Sequence, residues 1–472
     1  MNNRWILSSL FAAALAACSS TPRGSTTTPA TTPAGTPVTT STGTAVNERA
    51  NNVFGDAATA MRTHDEANEG RGDWTADTCT AVARQFEAAA NAQANGNFAE
   101  AWFNRGLVFS RCNQADQARQ SFQRALQAAN GNFCRAKVQL GVMAYQANDI
   151  PAARTAFEEA IAADRSHCVE GYTNLAMLLR RQNPTTDAEW QNVVRNIRAA
   201  LALDDRYLPA RNELALSYLQ QAGDDPNSQR VFLAGLVCTQ AVQVGQQSRQ
   251  ELTPDVRGFL ADLFNTWGLV DIRRGEIIKA LEHFRRAYTL NPTMFEALMN
   301  YGTINLSFRG YADARTAFEA ALALRADSYD AHIGLGVALR GLAQTNEAEH
   351  DALITRANEE YTRARTLDEA RPDAHYNLGL LHMSYMGGQI PALRQALEHF
   401  AAFRQRATAP RWARNVTQTQ QNERNIRDTI TALEAVGPQA TGGAAPATPP
   451  AAGATPPAAP ATPATPAAPA AQ

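Results

Sequence analysis

Cysteine and histidine are the residue types through which this chain could carry out redox or metal chemistry. Its 472 residues include six cysteines and eight histidines. A zinc site or a thioredoxin-like centre would need cysteine pairs separated by two residues, and the sequence contains no such pair. Disulfide formation is the chemistry that remains, and it requires an oxidising compartment. The cysteines downstream of the N-terminal segment are Cys79, Cys112, Cys134, Cys168 and Cys238.

His375 and His382 are the histidines whose spacing suggests a metal site, because seven residues place them two helical turns apart on one face. The same spacing is typical of packing positions, and no carboxylate cluster accompanies the pair. Histidines in or at the rim of a core are therefore the favoured interpretation. The motifs G-x-S-x-G, H-E-x-x-H and Walker A are absent from the sequence. The sequence predicts no catalytic residue, no metal ligand and no cofactor, and so no enzyme.

The first residues have the pattern of an export signal. Arg4 supplies a positive charge, and an apolar run of about eleven residues extends from Trp5 to Leu15. This run is shorter than the roughly 20 residues that a transmembrane helix needs. It ends in Leu15-Ala16-Ala17-Cys18, which resembles the lipobox of bacterial lipoproteins. The alternative is an ordinary signal peptide that has a cysteine near its small-residue site.

The lipobox resemblance implies a specific maturation of the N-terminus. A signal peptide of residues 1–17 is removed, and Cys18 becomes an N-terminal residue that carries acyl chains on its sulfur and its amine. Two or more chains anchor a protein durably, whereas a single chain does not. Ser19 stands where an aspartate would resemble an inner-membrane retention signal. The resemblance therefore implies an anchor in the outer membrane and a chain that faces the periplasm.

Composition separates a folded centre from two low-complexity ends. Residues 18–47 are mainly Ser, Thr, Pro, Gly and Ala, and residues 437–472 are rich in Ala, Pro and Thr. Such segments bury too little apolar surface to offset the entropy of ordering, which predicts a disordered tether and a disordered tail. Residues 48–436 then contain the fold. Because 43 basic residues face 45 acidic ones, for a net charge of -2, nucleic acid is not an expected partner.

A periodicity of 34 residues runs through this central region. Gly268, Ala280 and Ala287 occupy positions 8, 20 and 27 of one unit, and Gly302 and Ala314 begin the same series 34 residues later. Small side chains at these positions let two helices approach closely. The pattern resembles the tetratricopeptide repeat, a helix-turn-helix unit. The resemblance implies an all-α fold, a tetratricopeptide α-solenoid or superhelix, with repeats starting near Ala99, Cys134, Val169, Leu208, Ala261, Phe295, Tyr329 and Pro372.

Two further elements complete a predicted solenoid of about eight to nine repeats. Helices near residues 50–67 and 81–91 would form a degenerate first repeat. Residues 412–436 resemble the polar helix that caps such arrays.

The repeat frame restricts how the cysteines can pair. Cys79 and Cys112 fall at the same end of the stack, and Cys134 and Cys168 each begin a first helix, one repeat apart. We therefore predict the disulfides Cys79–Cys112 and Cys134–Cys168. Neighbouring helices lie about 8–10 Å apart, whereas a disulfide needs Cα atoms within about 4.4–6.8 Å, so free buried thiols are the alternative. Cys238 takes a packing position and is predicted to be a buried free thiol.

The family resemblance also implies a peptide-binding groove along the first helices. The corresponding positions are mostly apolar in this chain, which favours an extended or helical apolar peptide. The Lys and Asn clamp of chaperone-binding relatives is missing, because lysine occurs only at Lys137 and Lys279. Packing against a neighbouring helix is the alternative for some of these residues. The predicted groove residues are Phe103, Leu107, Val138, Val142, Tyr145, Met177, Leu216, Leu269, Ile272, Met299, Leu306, Val337, Tyr376, Leu380 and Met383.

Asparagine recurs at position 6 of the first helices, at Asn104, Asn174, Asn300 and Asn377. These amides either hydrogen-bond the backbone of a ligand or form a structural ladder between helices.

The whole architecture resembles tetratricopeptide lipoproteins of the adventurous gliding-motility machinery. That resemblance implies a periplasm-facing scaffold for protein–protein interaction, with other envelope proteins of a multiprotein complex as partners and the membrane bound through the lipid anchor. The alternative is an assembly factor, such as a pilotin-like protein for the type IV pilus secretin or a barrel-assembly protein. An enzyme would need a globular segment outside the repeats, and no segment of sufficient length remains.

Overall fold

The computed structural model describes residues 45–70, 72–223, 225–247, 254–386 and 389–436. In these ranges the chain forms 19 α-helices joined by short turns, which confirms the predicted all-α repeat array. The predicted signal peptide, Cys18 and the predicted tail lie outside the described residues, as does most of the predicted tether. None of the helices in these ranges combines the length and the apolar character that a membrane span requires.

The helices divide between two compact units, with the boundary after Met294. The first unit consists of six consecutive helix pairs. They are α1 (Glu48–Gly70), α2 (Ala76–Ala92), α3 (Ala99–Arg111), α4 (Ala115–Ala128), α5 (Cys134–Gln146), α6 (Ile150–Ala163), α7 (Val169–Arg181), α8 (Asp187–Leu203), α9 (Leu208–Gln221), α10 (Gln229–Gln247), α11 (Pro254–Arg273) and α12 (Ile277–Leu290).

The second unit begins at Phe295 and consists of three helix pairs and a final helix. They are α13 (Phe295–Ser307), α14 (Tyr311–Leu324), α15 (Tyr329–Ala343), α16 (His350–Leu367), α17 (Pro372–Ser384), α18 (Ile390–Arg406) and α19 (Ala413–Val436). The side chain of Ile426 on α19 is buried against Phe400 of α18, so α19 covers the apolar face of the last pair.

The first helices begin where the 34-residue frame predicts, with one exception. Helix α11 starts at Pro254 and not near Ala261, so it is about two turns longer at its N-terminus. Proline suits the first position of a helix, because its φ angle is already helical and its missing N–H has no partner there. Residues 254–260, which precede the predicted repeat start, therefore belong to the helix.

Close approach within a pair depends on glycine. A Cβ atom on Gly106 of α3 would lie 2.5 Å from the ring of Phe122 on α4, and one on Gly141 would lie 2.6 Å from the ring of Phe157. Gly268 and Phe284 form the same contact in α11 and α12. Each glycine leaves room for one aromatic ring, which explains why the small and the large residue recur together.

Several turns inside a pair contain a residue in the left-handed region of φ. Asn113, Asn148 and Asn183 serve this purpose with φ angles of 56°, 61° and 53°, and Gly275 does so at 73°. Asparagine and glycine adopt this conformation at low cost. In the turn between α13 and α14 the residue is Arg309, with a φ of 60°.

The last residues of the predicted tether are ordered, in contrast to the expectation of disorder up to residue 47. Val46 is buried, and the side chain of Asn47 accepts a hydrogen bond from the Ala50 amide at the start of α1. The side-chain amide of Asn47 also donates to the Ala92 carbonyl at the end of α2. Helix capping therefore extends the fold a few residues beyond the compositional boundary.

Candidate functional site

The N-terminal part of the predicted groove is filled by core packing. Phe103 is 3% exposed, and its ring lies 5.6 Å from that of Phe122 and 5.4 Å from that of Phe133. The prediction that this part of the first helices presents an open apolar surface is therefore wrong. Phe103 and Leu107 share a core cluster with Phe122 of their own pair, and the others share one with Phe157 of α6. The buried residues are Phe103, Leu107, Val138, Val142, Tyr145 and Met177.

The remaining predicted groove residues are half-buried and keep part of their apolar surface accessible. In the first unit they are Leu216 on α9 and Leu269 and Ile272 on α11. In the second unit they are Met299, Leu306 and Val337, together with Tyr376, Leu380 and Met383. The last three lie on α17 and also pack against the cluster of Phe400 and Ile426, which α19 covers. Partial exposure of apolar side chains along consecutive first helices is the property that a peptide-binding surface requires.

Three of the recurrent asparagines bond within their own helices. Asn104 Nδ2 donates to the Glu100 carbonyl, and Asn174 Nδ2 donates to the Glu170 carbonyl, each over 2.8 Å. Asn377 does the same with the Asp373 carbonyl over 2.9 Å. These bonds run four residues back along one helix, and they are not a ladder between helices. The amide oxygens of Asn104 and Asn174 are buried and have no hydrogen-bond partner.

A small cavity of about 40 Å³ opens in the first unit where α7, α9 and α11 face one another. Met177 is the single predicted groove residue that lines it. Of the other lining residues the sequence frame identified only Asn174, one of the position-6 asparagines, because the cavity depends on how three successive first helices are rotated. The lining residues are Thr173, Asn174, Met177, Pro209, Asn212, Glu213, Phe259 and Asp262.

Hydrogen bonds hold the polar wall of this cavity in place. Arg180 Nε donates to Glu213 Oε2 over 2.8 Å, and both side chains are about nine-tenths buried. Thr266 Oγ1 on α11 donates to Asn212 Oδ1 over 2.7 Å. Because these bonds connect α7 with α9 and α9 with α11, the lining residues have defined orientations before any ligand binds.

Four of the five cysteines in the described part of the first unit form two disulfides. Cys79 of α2 is bonded to Cys112, directly after α3, with Cα atoms 6.5 Å apart. Cys134 at the start of α5 is bonded to Cys168, directly before α7, with Cα atoms 5.7 Å apart. The pairing is the one that the repeat register predicts. Both bridges join neighbouring repeats at chain positions close to helix ends, where the Cα atoms approach more closely than helix axes do.

Cys238 on α10 is a buried free thiol. Its burial raises the pKa of the thiol to about 12, and the nearby negative charge of Asp271 contributes. The thiol is therefore protonated at neutral pH and is a poor nucleophile. Asp271 Oδ2 lies 2.7 Å from His283 Nδ1, and the His283 ring stacks on Trp267. This arrangement gives the buried carboxylate a partner.

The second unit contains a histidine cluster that sequence spacing revealed only in part. The His399 ring on α18 lies 5.7 Å from that of His375 and 5.5 Å from that of His382, both on α17. Burial lowers the pKa of all three imidazoles, and that of His399 falls to about 4 because its neighbours would also carry positive charge. Within the described residues no three His, Cys, Asp or Glu side chains are arranged to hold a metal ion.

Comparison with known proteins agrees with this repeat geometry. Residues 99–132, 138–196 and 306–353 match models of the tetratricopeptide repeat. The BBSome complex member BBS4 homolog of Drosophila melanogaster is 25% identical over 197 residues, which are 38% of this chain and 39% of that protein. This match therefore spans well under half of the curated relative.

Two solved structures are also similar to parts of this chain. PilF of Pseudomonas aeruginosa is 19% identical, with a TM-score of 0.39 over 51% of this chain and 94% of that chain. A tetratricopeptide protein of Thermus thermophilus is 21% identical, with a TM-score of 0.34 over 44% of this chain and 99% of that chain.

The protein is thus an all-α helical-repeat protein. The repeats within residues 99–132, 138–196 and 306–353 match the tetratricopeptide repeat. Stacked repeats of this kind form solenoids with extended concave surfaces.

Proposed function

We propose that this protein is a lipid-anchored scaffold of the outer membrane, facing the periplasm, that binds other envelope proteins through its first helices. The observation that carries the binding function is the set of half-buried apolar side chains on consecutive first helices, among them Leu216, Leu269 and Ile272 in the first unit. A surface of this kind suits an extended or helical apolar segment of a partner.

The disulfides support the proposed compartment. Cys79–Cys112 and Cys134–Cys168 both lie in the first unit, and disulfides persist in oxidising environments such as the bacterial periplasm. The lipobox resemblance at Cys18 and the serine that follows it support an anchor in the outer membrane. The resemblance to the tetratricopeptide lipoprotein GltE supports a role in adventurous gliding motility, where such a scaffold would link motor parts to outer-membrane components.

The first experiment is a crosslinking pull-down of the protein from native membranes, with Cys18→Ala as the control that removes the anchor. Recovery of motility proteins of the envelope, lost in Cys18→Ala, is the expected result. Recovery of a secretin or a barrel-assembly protein instead would contradict the motility assignment and favour an assembly factor. A protein that stays in the membrane fraction despite Cys18→Ala would contradict the lipid anchor.

The binding surface is tested in the same assay by Leu269→Glu in the first unit and Leu306→Glu in the second. Each places a charge on a half-buried apolar position of a first helix and should reduce partner recovery while helicity is unchanged. Ile278→Glu is the matched control, because Ile278 lies on a second helix and is 79% exposed. If recovery survived both groove substitutions, the first helices would not be the binding surface.

A further inference from the structure

Helix α10 differs in charge from the other second helices of the first unit. Arg230 is the only charged residue between Gln229 and Gln247, whereas α2, α4, α6, α8 and α12 each contain three or four. A helix with so little charge normally has both of its faces buried. The outer face of α10 is exposed, so packing within the first unit does not explain the low charge.

Large apolar side chains stand on this outer face. Phe232 is 52% exposed and Leu236, one turn later, is 53% exposed, and the half-buried Leu233 and Val237 lie beside them. We call these four residues the α10 patch. Val231 on the opposite face is fully buried in a cluster with residues of α9 and α11. Helix α10 is therefore apolar on the side that packs and on the side that faces outward.

Arginine borders the α10 patch. The guanidinium of Arg274, directly after α11, lies 5.2 Å from the centre of the Phe232 ring, and its Nη2 atom is 3.4 Å from Glu276 Oε1. Ile278, two residues after Glu276, is 79% exposed, so apolar surface continues at this edge. Arg230 is also exposed and precedes Phe232 by two residues. Phenylalanine and leucine bordered by arginine are typical of helices that lie in a membrane interface, where guanidinium groups meet lipid phosphates.

The area and shape of the α10 patch distinguish between possible occupants. Phe232 and Leu236 together expose roughly 200 Å², so two copies of the patch would bury about 400 Å² against each other. A stable dimer buries about 1,200–2,000 Å², which argues against a second copy of the chain. Apolar peptides bind in grooves, whereas the outer face of one helix is convex. A lipid surface suits a small convex patch, because the lipids adapt to its shape.

The predicted anchor brings a bilayer within reach of α10. Residues 19–44 separate Cys18 from the described part of the chain, and a segment of about 26 residues spans up to about 90 Å. The chain then enters α1, which contacts α11, and α11 packs against α10. Because α1 is only about 35 Å long, the α10 patch can reach the membrane that holds Cys18.

We propose that the α10 patch binds the surface of the lipid bilayer to which the chain is anchored. Phe232 and Leu236 enter the boundary between headgroups and acyl chains, and Arg230 and Arg274 pair with lipid phosphates. The proposal rests on the proposed lipid anchor and adds an orientation to it. Helices α9 and α11 lie on the side of α10 away from the membrane, so the first helices face the periplasm.

The test uses the mature full-length chain with Cys18→Ala, which has no acyl chains, and vesicles of phosphatidylcholine and phosphatidylglycerol in equal parts. The chain should sediment with the vesicles. Phe232→Glu and Leu236→Glu should each lower the partition coefficient about tenfold, because a charge replaces an apolar contact. Leu324→Glu is the matched control, since Leu324 is a 40% exposed leucine on a second helix of the second unit, and it should bind as the parent does. Circular dichroism should show equal helicity in all variants.

Phe232→Trp tests the contact directly. Tryptophan keeps an aromatic ring at this position, and phosphatidylcholine brominated on its acyl chains should quench its fluorescence beyond the quenching of the native tryptophans in the parent chain. Leu324→Trp is the control and should show no additional quenching. Equal additional quenching at both positions, or at neither, would contradict a specific contact through α10.

Failure of the membrane site is distinguishable from failure of the anchor. No vesicle binding, or full binding by both α10 glutamate variants, would overturn the membrane site and leave the anchor and the scaffold standing. A dimer in solution that dissociates in Leu236→Glu would overturn it in favour of a second copy. Binding through α10 alone is reversible, so Cys18→Ala should wash out of native membranes. If that variant stayed bound and only the additional change Leu236→Glu released it, the membrane site would stand and the lipid anchor would be contradicted.

Discussion

Gly106 and Phe122 lie so close together that a Cβ atom on Gly106 would be 2.5 Å from the Phe122 ring. Two helices of a pair can reach this separation because no side chain stands between the backbone of the first and the ring of the second. The same relationship recurs in the pairs formed by α5 and α6 and by α11 and α12. The helices can pack this closely only if the residue at this position is glycine, whose side chain is a single hydrogen atom.

Gly106→Ala should therefore destabilise the first unit, because the methyl group has no space beside the ring. Gly55→Ala in α1 is the matched control, since a Cβ atom there meets nothing within 4 Å. The gain in helix propensity is common to both changes, so Gly106→Ala should be less stable than Gly55→Ala by about 2 kcal/mol. Urea unfolding followed by circular dichroism gives the difference. Equal stabilities would show that the pair can separate at no cost.

Arg309→Gly should stabilise the second unit by up to about 1 kcal/mol. Arg309 has a φ of 60°, a conformation that costs a side-chain-bearing residue about 1–2 kcal/mol and costs glycine almost nothing. Part of the gain is lost because glycine makes the unfolded chain more flexible. Thermal unfolding of Arg309→Gly beside Arg309→Ala separates the backbone effect from loss of the side chain, because alanine keeps the strain. A stabilised alanine variant would argue against this explanation.

The histidine cluster should make the second unit sensitive to acid. The pKa of His399 is about 4 in the folded protein, whereas it is near 6.5 in an unfolded chain. The unfolded state therefore binds more protons between these two values. The contribution of unprotonated His399 to the free energy of unfolding is fully present above about pH 6.5. It is lost as the pH falls toward 4, and the full loss is about 3 kcal/mol.

Urea unfolding at pH 7 and pH 5 should show about 2 kcal/mol of this loss, because pH 5 is still above the folded pKa, and His399→Phe should flatten the pH dependence. The charged groups that act on the cluster are Arg365 and Arg406, which oppose protonation, and Glu369, which favours it. His167→Gln is the control, because the His167 side chain is 80% exposed. If the unfolding free energy of His399→Phe depended on pH as strongly as that of the wild type, His399 would not be the source of the acid sensitivity.

The disulfides predict the number of reactive thiols. When the protein is denatured without reductant and alkylated, mass spectrometry should find one modified cysteine, Cys238, among the five downstream of Cys18. After reduction it should find five. Each bridge closes a loop of 33 or 34 residues, so reduction should cost about 2–4 kcal/mol of stability for each bridge. Five modified cysteines before reduction would show that neither bridge forms in solution.

Much of the fold could be predicted from local sequence pattern. The spacing of Gly268, Ala280 and Ala287, repeated 34 residues later, determines which residues face the partner helix of a pair. Seven of the eight predicted repeat starts coincide with the first residue of a helix, because caps and turns are set by neighbours in the chain. The same register placed Cys134 and Cys168 at equivalent ends of successive units.

The functional surface depended on relationships between repeats, which no local pattern encodes. Phe103 occupies a position that the repeat frame assigns to the groove, yet the rings of Phe122 and Phe133 enclose it. The cavity beside Asn174 depends on the rotation of α7, α9 and α11 about their own axes. The His399 ring lies near that of His375 because α18 packs against α17 at these residues. Periodicity in the sequence determined the helices and their pairing. The tertiary structure alone decided which faces stay open, because burial depends on the angle between successive pairs.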